Sequence, residues 1–281
     1  ADEISETRAM SASIVNDVVT QFDTAAIRRP NTLVVVVGNR LYKKMWFAEY
    51  AIRDAAAMKE YLVRRMGGLP ENVIYLNDLA LADFQSLFGG QDGATERSRI
   101  FRQMPSPDWD IIVYYSGHGM ADANDKKNYL LPVDAQPDNL SATAYRLDAM
   151  YRNLRQITKG KISVILEACF SGQTTKGHLG GRTSGVVIVD PREGAPEGID
   201  ILAAAHSDQV ANWYDAQKHG LFTYHLMRAL RGEADANKDG KVTGAEIKDF
   251  VTREVANQSY KVGVAYQEPD IAISPETVWT E

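Results

Sequence analysis

Cysteine is almost absent from this chain, which has one cysteine in 281 residues. A single thiol cannot close an internal disulfide, and it fits a reducing compartment. Long apolar runs are also lacking, because the longest, at 33–37, is far too short to span a bilayer. An excess of basic charge is lacking as well, since the formal net charge is −6 and no cluster of Lys and Arg stands out. The sequence therefore argues against a disulfide framework, a membrane span and a nucleic-acid partner.

The overall composition is that of a folded domain. Hydrophobic residues make up 44% of the chain and charged residues 24%, and the length allows one large α/β unit. The chain starts with Ala1 rather than Met, so we expect that a segment was removed before it. A cytoplasmic location is the first expectation, and a periplasmic or secreted location is the alternative that this start leaves open. The sequence does not indicate an oligomeric state.

Apolar runs and helical spacing alternate along the chain. Five short apolar runs predict buried strands, at 32–37, 73–76, 111–115, 162–166 and 198–202. Apolar residues at helical spacing predict helices, at 3–26, 52–66, 146–157 and 221–231. Strands that alternate with helices predict an α/β fold, with a mostly parallel central sheet flanked by helices.

Two of the predicted strands run into residues that can carry chemistry. One ends in Ser-Gly-His-Gly at 116–119, and the other in Glu-Ala-Cys-Phe-Ser-Gly at 167–172. Ligands of open parallel sheets bind at the carboxyl ends of the strands, so we expect both motifs on one edge. His118 precedes Cys169 by 51 positions (169 − 118), which leaves room for one strand–crossover–strand unit. An imidazole beside a thiol can take its proton, which favours a catalytic pair. The alternative interpretation is that the histidine is structural and the cysteine is a small buried hydrophobic residue.

Together, these motifs and their spacing resemble the caspase and metacaspase superfamily, especially bacterial caspase-like cysteine peptidases. Further similar segments follow in the same order, at 37–39 (Val-Gly-Asn, with Tyr42 and Asp54 after it), 131–134 (Leu-Pro-Val-Asp) and 220–223 (Gly-Leu-Phe-Thr). The similarity covers most of the chain from about residue 31 onward. It implies a caspase-like (caspase-hemoglobinase) fold for residues 30–281, with residues 1–29 as an N-terminal helical extension.

The resemblance also implies a reaction. Cys169 is expected to attack the scissile carbonyl of a protein or peptide substrate, and His118 to accept the thiol proton and later protonate the leaving amine. Backbone N–H groups of Gly119 and Cys169 are expected to stabilise the oxyanion. The family needs no third catalytic side chain, and no organic cofactor is expected.

The resemblance suggests a specificity different from that of caspases, which surround a substrate Asp with two arginines and a glutamine. The corresponding positions fall near Ala48, Tyr214 and Glu167, and none of these can serve as such a donor. Metacaspases and related bacterial enzymes keep an acid at the position of Glu167 and another at that of Asp54. Two carboxylates select Lys or Arg and repel Asp, so cleavage after basic residues is expected.

Two of these substrate-binding assignments have structural alternatives. Asp54 lies on a predicted helix, where it could simply pair with Arg53 or Lys44. Trp213 falls where caspases carry a tryptophan beside the substrate strand, which would make it a wall of the neighbouring subsite. The alternative for Trp213 is an ordinary core position.

A twelve-residue calcium-loop pattern of the EF-hand type occupies 235–246. Its expected ligands are Asp235, Asn237, Asp239, Lys241 through its backbone carbonyl, and Glu246. Calcium is therefore the one cofactor that the sequence suggests, and a tight metal-free turn between helices is the alternative. Many metacaspases bind calcium through a different acidic cluster, but the segment after the histidine reads Asn-Tyr-Leu at 128–130, which makes that second site doubtful.

The glycine-rich segment 172–198 after the cysteine bears on activation, because long loops in compact domains are commonly functional. It contains Lys176, Arg182 and Arg192 in the region where relatives are cut, so autoprocessing at these residues is a further expectation.

Two other functions are alternatives to the peptidase. A catalytically silent homologue acting as a calcium-responsive interaction module is disfavoured, because both the histidine and the cysteine motif are intact. A nucleotide-binding α/β protein is disfavoured because no Gly-x-Gly-x-x-Gly or Walker motif follows the first strand.

Overall fold

The structure is a computed structural model, and it describes residues 28–171, 173–174, 177–178, 189–262 and 265–281. The described strands, in chain order, are β1 (Thr32–Gly38), β2 (Val73–Asn77), β3 (Asp110–Ser116), β4 (Gly119–Ala121), β5 (Asn128–Leu130), β6 (Tyr145–Arg146), β7 (Ile162–Glu167), β8 (Gln173–Thr174), β9 (Gly177–His178), β10 (Ile199–Ala203), β11 (Trp213–Tyr214), β12 (His219–Gly220), β13 (Val242–Thr243), β14 (Asp270–Ala272) and β15 (Val278–Thr280). The helices are α1 (Ala51–Arg64), α2 (Leu81–Phe88), α3 (Arg99–Gln103), α4 (Leu140–Thr143), α5 (Leu147–Ile157), α6 (Leu221–Arg228) and α7 (Gly244–Val262). The predicted helix at 3–26 lies outside the described residues.

A six-stranded sheet forms the centre of the molecule, in the order β14-β10-β7-β3-β1-β2. The five strands from β10 to β2 are parallel, and β14 runs antiparallel to β10 at one edge. All seven residues of β1 are buried, as expected for an apolar strand covered on both faces. The predicted α/β fold with a mostly parallel central sheet is therefore confirmed.

Helices cover both faces of this sheet, and successive strand residues point to opposite faces. Val34 and Val36 of β1 pack in one apolar cluster with α1, α6 and α7. Val35 and Val37 pack in a second cluster with α2, α3 and α5 on the other face. Within the described ranges, no helix is both long and apolar enough to cross a membrane.

The structure differs from the sequence expectation around the late helix and after the histidine. The helix predicted at 221–231 ends at Arg228 and continues as a π-helical turn, Ala229–Glu233, in which Gly232 has a φ of +110°. A small antiparallel sheet of β4, β5 and β6 follows the histidine. Its strands have two or three residues each, which is too short for a periodic pattern to reveal.

Candidate active site

The two catalytic candidates leave the ends of neighbouring strands. In the pairing of β3 with β7, Ser116 lies opposite Glu167, and the Gly117 N–H donates to the Glu167 carbonyl at 3.2 Å. His118 and Cys169 each follow two residues after this matched pair. The expectation that the spacing brings the two strand ends together is confirmed.

His118 is buried, and hydrogen bonds hold both its backbone and its ring. Its N–H donates to the Tyr42 hydroxyl at 2.8 Å, and its carbonyl accepts from the Tyr115 hydroxyl at 2.8 Å. The ring lies against that of Tyr42, with centroids 4.5 Å apart. His118 Nε2 is 2.7 Å from the Trp46 carbonyl oxygen, which can only accept, so Nε2 carries the proton and Nδ1 has the lone pair.

Cys169 is also buried, and the histidine loop packs directly against it. A Cβ on Gly119 would lie 2.7 Å from the Phe170 ring and 3.0 Å from the Cys169 carbonyl oxygen, so only glycine allows this approach. The Ala121 N–H then donates to the Phe170 carbonyl at 3.0 Å. The loop that carries His118 and the turn that carries Cys169 therefore form one packed unit.

Burial keeps both candidates uncharged near neutral pH. Desolvation lowers the pKa of His118 to about 4, against the raising effect of the hydrogen bond to Trp46. Desolvation raises the pKa of Cys169 to about 11, and the negative charge of Glu167 adds to this shift. The resting pair is thus a neutral thiol and a neutral imidazole rather than a thiolate and an imidazolium.

The two carboxylates proposed for substrate binding lie together in the interior. Glu167 is 2% exposed at the end of β7, and Asp54 is fully buried in the first turn of α1. Burial, reinforced by the charge of Asp54, raises the pKa of Glu167 to about 8. Burial likewise raises the pKa of Asp54. We call Glu167 and Asp54 the acid pair.

The hydrogen bonds of Asp54 differ from the simple pairing with a neighbouring basic residue on the helix. Its Oδ1 lies 2.6 Å from His219 Nδ1, and its Oδ2 accepts from the Gly220 N–H at 3.0 Å. Arg53 contributes only a through-space charge to Asp54 among the interactions that shift its pKa. Asp54 is thus an interior residue facing β12, not a helix-surface residue.

Trp213 lies beside the acid pair and is half-buried. It pairs with Gly220 across the β11–β12 hairpin, and Tyr50 contacts it edge to face, with centroids 5.7 Å apart. It also packs on a small apolar cluster that includes Tyr42 and Ala48. Its position is compatible with a wall of a subsite next to the acid pair.

Sequence reasoning missed three contributors to the site. The sequence indicates Tyr42 only through its similarity to a family position, and it does not reveal the contact of Tyr42 with the His118 backbone. Trp46 contributes a backbone carbonyl, which no side-chain pattern can reveal. His219 carried a usable signal, because it directly precedes the Gly-Leu-Phe-Thr motif that begins α6, and that motif folds against both carboxylates.

The calcium-loop residues adopt a compact turn. Asp235 accepts from the N–H groups of Asp239 and Gly240 at 3.2 Å and 3.0 Å. Glu246 accepts from the N–H groups of Ala236 and Thr243 at 3.2 Å and 2.9 Å. No group of three His, Cys, Asp or Glu side chains in the described ranges is arranged as a metal-binding cluster. The side-chain oxygens of this turn therefore serve its own backbone.

Only part of the proposed processing loop belongs to the described residues. Lys176 and Arg182 lie outside them. Arg192 is described, and its guanidinium pairs with Asp190 at 2.7 Å and with Asp270 at 3.5 Å.

The fold is an α/β fold in which a histidine loop and a cysteine turn lie at the ends of neighbouring parallel strands. The sequence profile of the caspase domain matches residues 31–275, so the chain belongs to the caspase-domain family. This membership supports a cysteine-type peptidase that acts on protein substrates. A comparison with curated proteins gives no match.

Proposed function

We propose that this protein is a cysteine endopeptidase in which Cys169 is the nucleophile and His118 the catalytic base. The observation that carries the proposal is the alignment of the two residues at the ends of β3 and β7, with His118 Nε2 bonded to the Trp46 carbonyl. That hydrogen bond selects the tautomer in which Nδ1 can accept a proton. Removing either residue would leave the other without its partner in proton transfer.

The neutral resting pair determines the order of the chemical steps. As the Cys169 sulfur attacks the substrate carbonyl carbon, its proton passes to His118 Nδ1, so charge develops only in the transition state. The backbone N–H groups of Gly119 and Cys169 are the proposed donors to the resulting oxyanion. His118 then gives the proton to the leaving amine, and water hydrolyses the thioester.

We further propose that the protease cleaves after Arg or Lys. Glu167 Oε2 accepts from the Thr223 N–H at 2.7 Å, whereas Oε1 has no hydrogen-bond partner among the described residues. A buried carboxylate oxygen without a donor binds a guanidinium or ammonium group well and repels another carboxylate. Because Glu167 lies two residues before the nucleophile, a cation bound to it would sit next to the scissile bond.

A positional peptide-library digest tests this function. We expect wild-type protein to cut after Arg and Lys, and Glu167→Gln to lose at least about tenfold in kcat/KM on basic substrates. Cys169→Ala should be inactive on every peptide. Efficient cleavage after Asp would refute the specificity, and a wild-type protein as inactive as Cys169→Ala would favour the silent interaction module.

Activation is proposed to involve autoprocessing, calcium or both. His118, Cys169 and Glu167 are 4%, 6% and 2% exposed, so little of their surface is open to a substrate in this form. The burial of all three groups supports a resting form that needs an activation step.

Calcium is the proposed ligand of the turn at 235–246. The pattern supplies hard oxygen donors of the kind that calcium prefers, and Gly240 has the φ of +84° that a sharp turn requires at its sixth position. The turn follows the π-helical segment that continues α6, and its Asp235 N–H donates to the Gly232 carbonyl of that segment at 3.1 Å. At its other end, α6 contacts Glu167 through Thr223. Bound calcium would exchange the internal hydrogen bonds of the turn for metal contacts.

Isothermal titration separates calcium binding from a metal-free turn. Heat on titrating wild type, and none for Glu246→Ala, would support the site. Absence of heat in both proteins would show that the loop is only a turn, and equal heat in both would place calcium elsewhere.

A further inference from the structure

A histidine that the proposed mechanism does not use lies against the acid pair. His219 is on β12, and neither it nor Asp54 has any exposed side-chain surface. Its Nδ1 contacts Asp54 Oδ1 at 2.6 Å, a short distance typical of a charge-assisted hydrogen bond. Two groups that are fully removed from water and held this closely form a buried acid–base pair.

Gly220 links this pair to Glu167. Its N–H donates to Asp54 Oδ2 at 3.0 Å, and a side chain at this position would collide with the carboxyl group of Glu167. The two carboxylates therefore approach the same backbone unit from two sides. Their charges oppose each other in a low-dielectric interior, so one of them tends to take up a proton unless a cation compensates the other.

The two carboxylates differ in the partners that they have. Asp54 has the imidazole of His219 and a backbone donor, whereas the donors to Glu167 come from the backbone and side chain of Thr223, and its Oε1 has no hydrogen-bond partner among the described residues. Electrostatic interactions add to these contacts: the charge of Arg53 acts on Asp54 from α1, and that of His219 acts on Glu167 as well as on Asp54. Both carboxylates raise the pKa of Tyr114 on β3, after the larger effect of its burial. His219 is the group that is placed to compensate Asp54 by direct contact.

We propose that His219 is a positioning residue for specificity: it is the internal counter-ion of Asp54, and it thereby leaves Glu167 as the carboxylate that receives the positive charge of the substrate. The inference rests on the proposed cleavage after Arg or Lys. Without His219, no group compensates the charge of Asp54 by direct contact, so Glu167 holds its own proton more tightly than in wild type. An incoming cation must then displace that proton before it can bind, so its KM rises.

The test compares peptides that carry Arg or citrulline before the scissile bond, because citrulline has the shape of arginine without its charge. His219→Gln keeps a donor for Asp54 but cannot carry a charge. We expect its Arg-to-citrulline ratio of kcat/KM at pH 7 to fall about tenfold, through KM for the Arg peptide. The ratio should recover as the pH is raised, because both carboxylates then ionise.

The double variant His219→Gln/Asp54→Asn supplies the matched control. It removes the competing carboxylate together with its counter-ion, so the ratio should rise above that of His219→Gln alone. A merely structural role for His219 predicts no such rescue. Because the double variant buries no unpaired charge, it remains informative if His219→Gln alone fails to fold.

The outcomes of this experiment separate the two proposals. If wild type prefers Arg over citrulline but His219→Gln keeps the same ratio, or if the double variant does not raise the ratio above that of His219→Gln, the role of His219 is refuted. If wild type shows no preference for Arg, the proposed specificity itself fails.

Discussion

At the scale of single residues, Cys169 is the only thiol in the chain, so any thiol reactivity reports on the proposed nucleophile. Burial raises its pKa to about 11, and it lowers the pKa of His118 to about 4. Between these values both groups are neutral. Cys169 therefore needs a substrate and a base to become reactive. This low resting reactivity protects the thiol from non-specific alkylation or oxidation.

We therefore predict that the rate of Cys169 alkylation by iodoacetamide rises about tenfold per pH unit from pH 6 to 10, because only the thiolate reacts. Mass spectrometry of the intact protein measures the rate, and Cys169→Ala gives the background. His118→Ala should abolish peptidase activity while leaving this pH profile nearly unchanged. A rate that is already constant between pH 5 and 8 would instead show a preformed thiolate–imidazolium pair.

At the scale of secondary-structure elements, the long apolar elements were predictable, and the small parts that complete the site were not. The strands β1, β3 and β7 are continuous apolar runs, so their positions and the shared edge of His118 and Cys169 follow from pattern and spacing. The hairpin β11–β12 has two residues per strand, which is too short for any period. Its role depends on contacts with Asp54, 165 positions away in the chain, and no local signal encodes such a contact.

The described end of the processing loop is tied to neighbouring elements. Asn128 on β5 donates to the carbonyls of Val189 and Asp190, both at 3.0 Å, and the Tyr151 hydroxyl on α5 donates to the Pro191 carbonyl at 2.9 Å. Asn128 begins the Asn-Tyr-Leu segment that follows the histidine. The uncharged amide of Asn128 therefore ties the loop to the small sheet that begins directly after His118.

These contacts predict which basic residues the proposed autoprocessing would use as cleavage sites. A protease binds its substrate in an extended form, but the Ala195 N–H donates to the Arg192 carbonyl at 2.9 Å in a tight turn. The Arg192 guanidinium is also bonded twice to Asp190, at 2.9 Å and 2.7 Å. We predict that autoprocessing follows Lys176 or Arg182 and spares Arg192.

Fragment masses after incubation of wild type check this prediction. Arg192→Ala should give the wild-type pattern, whereas Lys176→Ala/Arg182→Ala should remain intact, as should Cys169→Ala. A fragment that begins at Glu193 would contradict the protection of the Arg192 bond.

At the scale of the whole molecule, a buried carboxyl group with a raised pKa makes stability depend on pH. Glu167 has a pKa of about 8 in the folded protein, against an ordinary value of 4.5. Between these two values, the folded chain keeps a proton that the unfolded chain has released, so the contribution of this group to the free energy of unfolding falls as the pH rises. The contribution is fully present below about pH 4.5 and is lost by about pH 8. The carboxyl group that we propose to bind the substrate cation thus reduces the stability of the empty protein at alkaline pH.

We predict that Glu167→Gln has the same Tm as wild type near pH 5 and exceeds it by at least about 3 °C above pH 8, because glutamine never acquires the buried charge. Calorimetry or circular dichroism at several pH values measures the difference. Glu71→Gln, at an exposed glutamate in the turn before β2, is the control and should follow wild type throughout. Glu167→Gln should also lose activity on Arg peptides, so one substitution raises stability and removes function. A difference in Tm that does not change with pH would mean that the Glu167 carboxyl is already ionised near pH 5, and it would remove the electrostatic basis of this trade-off.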